Sequence, residues 1–208
     1  MKSMLALGLS CALAACKIAT VRPLASSGPP ASGAAAFDAT AYVESIWVSR
    51  IVPTVEREAT ECGDLLASLE GDPEGTLERL GRGPRGPSYF LVKGEGTVVS
   101  VDRRSRNGLL GIDLLPSDGG VDLWMQIGPV VQGMALRDAV GFIAFDQFVN
   151  QIEYADVGNA LNQRVLDSVL AGLDAESAKG TVLSFAGAAT PGERPVLTPV
   201  RLTRKAGG

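Results

Sequence analysis

The sequence predicts an α+β fold in which N-terminal helices are followed by a five-stranded β-barrel. Apolar residues repeat every three or four positions up to about residue 80 and every second position from about residue 89. Three strand-like segments then follow one another, and two more come after a long helical excursion. A Greek-key barrel of the oligonucleotide/oligosaccharide-binding (OB) type has this order of elements. An open antiparallel sheet packed on helices has the same elements without closure, and it is the alternative.

Residues 1–15 have the composition of a signal peptide. Lys2 supplies a short positive region, and the apolar run over residues 4–13 is too short to span a membrane. Leu13-Ala14-Ala15 precede Cys16, and this order of residues before a cysteine resembles a bacterial lipobox. We therefore expect cleavage before Cys16 and lipidation of its thiol. A secreted protein with a free thiol at Cys16 is the alternative, although an exposed unpaired thiol is a liability.

A lipidated cysteine predicts a location in the cell envelope. Several acyl chains on one residue make a durable membrane anchor, so the chain is expected on the periplasmic side of a bacterial membrane. Lys17 stands where an aspartate would resemble an inner-membrane retention signal, which favours the outer membrane if the source is Gram-negative. Residues 16–36 comprise the lipidated cysteine and a flexible spacer rich in Ala, Ser, Gly and Pro. Residues 37–208 are expected to form a single globular domain, helical over 37–80 and an OB-like barrel over 89–203.

The first helix has a clear start signal. Asp38 can cap it, and Phe37 can pack on Tyr42 as a hydrophobic staple. Its apolar face is predicted to contain Val43, Ile46, Trp47 and Ile51.

Two further helices are predicted before the barrel. Pro53 interrupts the first pattern, and a second helix then runs to Leu69. A short third helix starts at Asp72-Pro73 and ends at Gly81. The second helix presents one apolar stripe, formed by Val55, Ala59, Cys62, Leu66 and Leu69.

The five predicted strands are residues 89–101, 109–115, 121–127, 181–186 and 196–202. Asn107-Gly108 and Asp118-Gly119-Gly120 are hairpin turns between the first three strands. In the third strand one face is predicted to enter the core, and Trp124 lies on the opposite face. The residues on the core face are Val121, Leu123, Met125 and Ile127. Pro199 places the last strand at an edge or at the barrel seam.

The composition argues against catalysis and against nucleic-acid binding. The chain contains no histidine, which removes Ser-His and Cys-His schemes and the commonest zinc sites. Without residues 1–15 it carries 18 basic and 23 acidic residues, a balance unlike that of a general nucleic-acid binder. Cys62 lies on an apolar stripe and is expected to be a buried, inert thiol. No catalytic residue, cofactor or metal is expected, since the clustered carboxylates are typical of turns. These carboxylates are Asp102, Asp113, Asp118 and Asp122.

The excursion over residues 128–155 is the most suggestive of a binding site. Three phenylalanines are expected to pack where it plugs the barrel: Phe142, Phe145 and Phe148. The same mainly apolar segment contains four polar residues: Arg137, Asp138, Asn150 and Gln151. They either satisfy one another and the backbone or converge on a ligand. We expect Arg137 to line a concavity bounded by the third strand and the excursion, and Trp124 could stack on a sugar ring.

Two parts of the sequence carry a resemblance to a known family. The first contains Phe37-Asp38-Ala39, Tyr42-Val43-Glu44-Ser45-Ile46-Trp47 and Phe90-Leu91-Val92-Lys93-Gly94-Glu95-Gly96. The second contains Gln126-Ile127-Gly128-Pro129, Gly133, Leu136-Arg137-Asp138-Ala139 and Phe148-Val149-Asn150-Gln151-Ile152-Glu153-Tyr154-Ala155. With the lipobox, these segments resemble an uncharacterised family of predicted periplasmic lipoproteins, a domain of unknown function. Its members are often encoded beside ABC sugar transporters, so the resemblance implies an accessory role in sugar uptake and no known catalytic residue.

These observations favour a non-enzymatic, lipid-anchored accessory or ligand-binding protein. Its expected partners are the membrane, through the lipid on Cys16, and a small sugar or components of a sugar ABC transporter. The alternative is a structural or assembly lipoprotein of the cell envelope that binds a protein partner.

Overall fold

The computed structural model describes residues 36–205 except Arg85 and Pro87. The described residues from Phe37 onward group into one compact unit. The predicted signal peptide, the lipidated Cys16 and all of the spacer before Ala36 lie outside the described residues. Within the described part of the chain, no helix is both long enough and apolar enough to cross a membrane.

In the part of the chain that the structure describes, five strands close into a barrel, and a sixth, short strand extends the sheet. The strands are β1 (Thr60–Glu61), β2 (Phe90–Asp102), β3 (Leu109–Leu114), β4 (Leu123–Gln126), β5 (Val182–Thr190) and β6 (Val196–Arg204). β2 pairs antiparallel with both β3 and β5, and the β3–β4 and β5–β6 pairs are also antiparallel. β4 and β6 pair in parallel and close the barrel in the order β2-β3-β4-β6-β5. The predicted α+β class with an OB-like Greek-key barrel is therefore confirmed.

β2 pairs with both β3 and β5, and its pairing with β3 is irregular. Its register with β3 shifts between Val98 and Ser100, as at a β-bulge. Gly96 lies just before this shift and pairs with residues of both β3 and β5. A Cβ atom on Gly96 would lie 2.6 Å from the backbone oxygen of Asp113. Only glycine therefore allows β2 and β3 to approach this closely.

The barrel interior holds one of two hydrophobic cores. Its buried strand residues are Phe90, Val92, Val98, Leu110, Ile112, Leu123, Met125, Leu183, Phe185, Ala189 and Leu197. Cys62 and Leu65 complete this core from one helix, and Ala175 and Ala178 complete it from another. The barrel interior is thus filled by side chains of the strands and of these two helices, the largest of them being Phe90 and Phe185.

The prediction for the third strand is only partly correct. Leu123 and Met125 are fully buried inside the barrel, whereas Val121 is 37% exposed. β4 begins at Leu123, so Val121 precedes the strand. The alternation of side chains between the two faces of a strand therefore does not apply to Val121. A Cβ atom on Gly111 would lie 2.9 Å from Val121, so this valine packs against the β3 backbone instead. Ile127 follows the strand and is half-buried.

Helices cover the outside of the barrel. They are α1 (Ala39–Ile46), α2 (Val52–Glu58), α3 (Cys62–Gly71), α4 (Pro73–Leu80), α5 (Ala135–Ala139), α6 (Gln151–Arg164) and α7 (Ala175–Ala178). Two π-helical turns, Trp47–Ile51 and Val165–Val169, extend α1 and α6, and a 3-10 turn covers Phe145–Gln147. The predicted start signals are confirmed. Asp38 accepts a hydrogen bond from the Ala41 N–H, the Phe37 and Tyr42 rings lie 5.9 Å apart, and Asp72 caps α4.

Two predicted helix boundaries are wrong. Pro53 does not interrupt the first helix, because the π-helical turn before α2 places the proline in a first turn, where its missing N–H costs little. The second predicted helix breaks at Ala59 instead. Thr60 and Glu61 pair in parallel with β2, and this strand contact overrides the helical spacing that continues through Cys62.

A second core joins the helices to the outer face of β5 and β6. It contains the predicted face of α1 with its π-helical turn, and residues of α5 and α6 pack against the small side chains of Ala186 and Ala188. The three phenylalanines do not plug the barrel, which corrects the prediction. Phe142 lies under Arg50 at 3.9 Å, Phe148 packs edge-on against Phe37 and Tyr42, and Phe145 is 53% exposed.

Replacing Gly96 with alanine is expected to destabilise the protein by about 1–3 kcal/mol, because the new methyl group must push two paired strands apart. Urea unfolding followed by circular dichroism measures the change. Gly63→Ala in α3 is the matched control, since a Cβ atom there meets nothing within 4 Å. Alanine at this helical position should leave stability unchanged or raise it by up to about 1 kcal/mol. Equal stability of Gly96→Ala and the wild type would contradict the close approach of β2 and β3.

Candidate functional site

A concavity of about 720 Å³ lies between the loop after α4 and helices α5 and α6. This volume falls in the range of small-molecule sites. The described residues that line it are Gly83, Pro84, Gly86, Ser88, Tyr89, Met134, Arg137, Asp138, Phe145, Gln151, Tyr154 and Ala155. The excursion therefore supplies one wall, as predicted. The opposite wall is the loop before β2 and not the third strand, which corrects the prediction.

The loop is fixed at its base by Arg82. The backbone groups of Arg82 and Tyr89 exchange hydrogen bonds of 2.8 and 3.0 Å. The Arg82 guanidinium donates to a Glu58 carboxylate oxygen at 2.9 Å and to the Ala139 carbonyl at 3.5 Å. These contacts tie the loop to α2 and to the end of α5, so Tyr89 enters the concavity from a fixed position.

The other wall depends on two buried amides that hold the start of the excursion. Gln126, at the end of β4, donates to the Gln132 carbonyl and to Thr198 of β6, and it accepts a hydrogen bond from the Gln132 N–H. Asn162 of α6 donates to the carbonyls of Val131 and Gly133. The segment before α5 is therefore joined to both the barrel and α6, and α5 is placed accordingly.

An ion pair that is almost buried lines the concavity. Arg137 Nε lies 2.8 Å from Asp138 Oδ1, and the two side chains are only 10% and 9% exposed. Arg137 Nη1 donates to the Tyr154 carbonyl at 3.1 Å. The guanidinium also lies over the Tyr154 ring, 3.7 Å from its centroid, while the Tyr154 hydroxyl donates to Asp138 at 3.2 Å. Arg137, Asp138 and Tyr154 thus hold one another in a single geometry.

Two tyrosines contribute neutral polar groups. Burial is the main cause that raises the pKa of Tyr89, and the Asp138 carboxylate adds to it. Burial also raises the pKa of Tyr154, against the opposing charge of Arg137. Both phenols are therefore protonated at neutral pH and can donate and accept hydrogen bonds. Because Arg137 and Asp138 cancel in charge, the described residues that line the concavity present many polar atoms with little net charge.

The structure brings together three of the five residues predicted for ligand binding. Arg137, Asp138 and Gln151 line the concavity, with Gln151 exposed in the first turn of α6. Asn150 does not line it. Its side-chain oxygen accepts hydrogen bonds from the Ile152 and Glu153 N–H groups, both at 2.9 Å, so Asn150 caps α6.

Trp124 lies elsewhere on the molecule. It is half-buried on β4, on the face opposite Leu123 and Met125, and the Arg194 guanidinium lies 4.5 Å from its ring centroid. It does not line the concavity around Arg137. The sequence grouped Trp124 with the polar residues because they are near in the chain, but the strand turns its ring to the outer surface of the barrel.

The remaining polar groups considered from the sequence have structural roles. Asp113 is buried and accepts hydrogen bonds from the N–H groups of Asp118 and Gly119, and Asp122 accepts one from the Leu114 N–H. These carboxylates organise the β3–β4 turn. Among the residues that the structure describes, no three potential metal ligands come together. Cys62 is buried, as expected, and burial raises its pKa to about 12.

Sequence reasoning missed Tyr89, Tyr154 and the glycine-rich wall. This wall is the segment between α4 and β2, and nothing in its residue spacing connects it with Arg137, more than forty positions further along the chain. Tyr154 lies on the same helix as Gln151, one turn away, and this helical spacing was the one available signal.

Comparison with known proteins identifies a family and a fold. A family model described as predicted periplasmic lipoprotein (DUF2291) matches residues 6–203. Among solved structures, the crystal structure of an OB-fold protein from Thermotoga maritima matches with a TM-score of 0.66 and 18% sequence identity, covering 82% of this chain and 100% of that chain. At this identity the likeness shows the fold alone. No curated protein gives a significant match.

Arg137→Lys is expected to lower the free energy of unfolding by about 1–3 kcal/mol with no ligand present, because lysine cannot keep both charge-assisted hydrogen bonds and the stacking on Tyr154. Arg79→Lys is the control, since the Arg79–Asp72 pair has side chains 58% and 61% exposed and should contribute almost nothing. Chemical denaturation of both variants measures the difference. Equal stability of the two variants would show that the Arg137 contacts do not hold in solution.

Proposed function

The chain belongs to the DUF2291 family of predicted periplasmic lipoproteins, and we propose that lipid on Cys16 anchors it. We also propose that it is a non-enzymatic binding protein whose ligand is a small neutral sugar. Its place in the cell is then the periplasmic side of a bacterial membrane. We further propose that this is the outer membrane if the source is Gram-negative, and that the protein serves an ABC-type sugar uptake system as an accessory component.

The observation that carries the binding proposal is the buried Arg137–Asp138 pair beside a concavity of about 720 Å³. Buried charges need strong partners, and a pair held in one geometry offers fixed donors and acceptors to a molecule in the cavity. Gln151 adds an amide that both donates and accepts. Phe145, 53% exposed, and Tyr89 supply aromatic surface.

This chemistry favours a neutral polyhydroxylated ligand over an anion. Each sugar hydroxyl can donate to Asp138 and accept from Arg137 or Gln151, and the apolar face of a sugar ring packs on an aromatic ring. A phosphate or carboxylate group would meet the Asp138 carboxylate beside the guanidinium, and like charges repel at that distance. The absence of histidine from the chain supports binding rather than catalysis, since the commonest general base is missing.

Gln151→Ala is expected to leave the melting temperature of the empty protein unchanged and to reduce the rise in melting temperature caused by a bound sugar. Gln151 is exposed, so its loss disturbs no core contact. A ligand that binds only the folded state stabilises it by mass action, and a lost hydrogen bond weakens that effect. Thermal unfolding is followed with and without pentoses, hexoses and sugar phosphates.

Gln163→Ala is the matched control for Gln151→Ala. Gln163 is an exposed glutamine on the same helix, but it does not line the concavity, and the variant should keep the full thermal shift. Sugar phosphates should bind no better than the parent sugars. A panel that never shifts the wild-type protein would remove small-sugar binding and favour an assembly lipoprotein with a protein partner.

A further inference from the structure

An exposed apolar surface lies where the chain enters the folded domain. We call it the entry surface and define it by four side chains: Phe37 (37% exposed), Phe145 (53%), Val149 (89%) and Ile152 (71%). Single exposed apolar residues are ordinary, but a contiguous group of large ones on a monomer marks an interaction site.

A chain of aromatic contacts links Phe37 and Phe145 of the entry surface. The ring of Phe148 lies 5.4 Å from that of Phe37 and 5.6 Å from that of Tyr154, and Phe145 lies 5.6 Å from Tyr154. Val149 follows Phe148 directly, and Ile152 lies in the first turn of α6. Val149 and Ile152 are thus close in the chain to Phe148 and Tyr154, whose half-buried rings belong to this series of contacts.

The backbone under the entry surface is held firmly. Asn150 caps α6 through two N–H groups, and the Val149 N–H donates to the Glu153 carboxylate at 3.0 Å. Val149 and Ile152 are therefore presented on a fixed helix start. Their exposure follows from this local structure and not from an irregular loop.

We propose that the entry surface docks onto the lipid bilayer that holds the protein, with Val149 and Ile152 entering the interface between headgroups and acyl chains. The position of Phe37 is the reason for choosing the bilayer as the partner of this surface. Residues 17–36 alone separate Phe37 from the lipid-bearing Cys16, so the side of the domain that contains Phe37 is the side tied to the membrane. A tether of that length keeps the surface at a high effective concentration near the bilayer.

The charges around the entry surface indicate which lipids it takes. Asp38, Asp146 and Glu153 are its nearest ionisable neighbours in the sequence, and all three are acidic. Anionic headgroups are therefore repelled, and the apolar side chains provide the attraction. The entry surface is therefore expected to dock onto a zwitterionic bilayer, whose headgroups carry no net charge. Docking in this orientation also keeps the concavity beside Phe145 close to the membrane surface.

The test places an environment-sensitive fluorophore at single positions of the lipidated mature protein reconstituted in zwitterionic vesicles. Val149→Cys and Ile152→Cys report on the entry surface. Leu115→Cys, 48% exposed in the loop after β3, is the matched control. Cys62 is buried at 1% exposure and does not compete for the label. Brominated lipids quench a fluorophore that reaches about 5–10 Å into the interface.

We expect brominated lipids to quench the fluorophore strongly at residues 149 and 152 and weakly at residue 115. Added anionic lipid should not increase the quenching. Equal quenching at all three positions contradicts a defined docking surface. Labels at 149 and 152 that are shielded from aqueous iodide but not quenched by bromine indicate a second copy of the chain. Labels that stay accessible to iodide indicate that the surface does not contact the bilayer and is available to a protein partner. Either result overturns the proposal.

This proposal rests on the lipid anchor but not on the sugar. Removal of the anchor in Cys16→Ser releases the protein from the vesicles altogether, which is distinct from loss of bromine quenching in a protein that stays bound. The fluorescence readout needs no ligand, so its failure leaves the sugar-binding proposal unaffected.

Discussion

The parallel pairing of β4 with β6 is the contact on which the rest of the structure depends. It comprises only two residue pairs, Trp124 with Val196 and Met125 with Leu197, yet it closes the barrel. Gln126 extends this contact by a hydrogen bond of 3.0 Å to Thr198 of β6, and the same amide holds Gln132 at the start of the excursion. One buried amide at the end of a four-residue strand therefore links the strand pair that closes the barrel to the segment that leads into α5.

The candidate site follows from that arrangement. Asn162 of α6 holds the other side of the segment before α5, so α5 and α6 are fixed relative to each other and Arg137 meets Tyr154. Burial of an ion pair costs desolvation energy and often adds little stability compared with apolar packing. The Arg137–Asp138 pair is nevertheless nine-tenths buried beside an open cavity. This placement is what led us to propose a binding role for the pair.

Local sequence signals predicted the elements well, and long-range contacts decided the rest. Asp38 and Asp72 cap their helices because capping depends on neighbouring residues alone. The helix predicted through Ala59 breaks because Thr60 pairs with a strand some thirty residues away, which no local pattern reveals. The site was predicted in part for the same reason. Arg137, Asp138 and Gln151 share one stretch of chain, whereas Tyr89 joins them only when the barrel closes.

We propose that the buried Arg137–Asp138 pair lines a binding site for a small neutral sugar. Nuclear magnetic resonance of ¹⁵N-labelled protein tests it most directly, because the Nε–H signal of Arg137 reports on its own hydrogen bonds. We expect one sugar of a panel of pentoses and hexoses to shift this signal together with the side-chain amide signal of Gln151. The amide of Gln163, outside the concavity, should stay in place. If no sugar moves the Arg137 signal, or if the shifts are confined to the surface around Trp124, sugar does not bind beside Arg137.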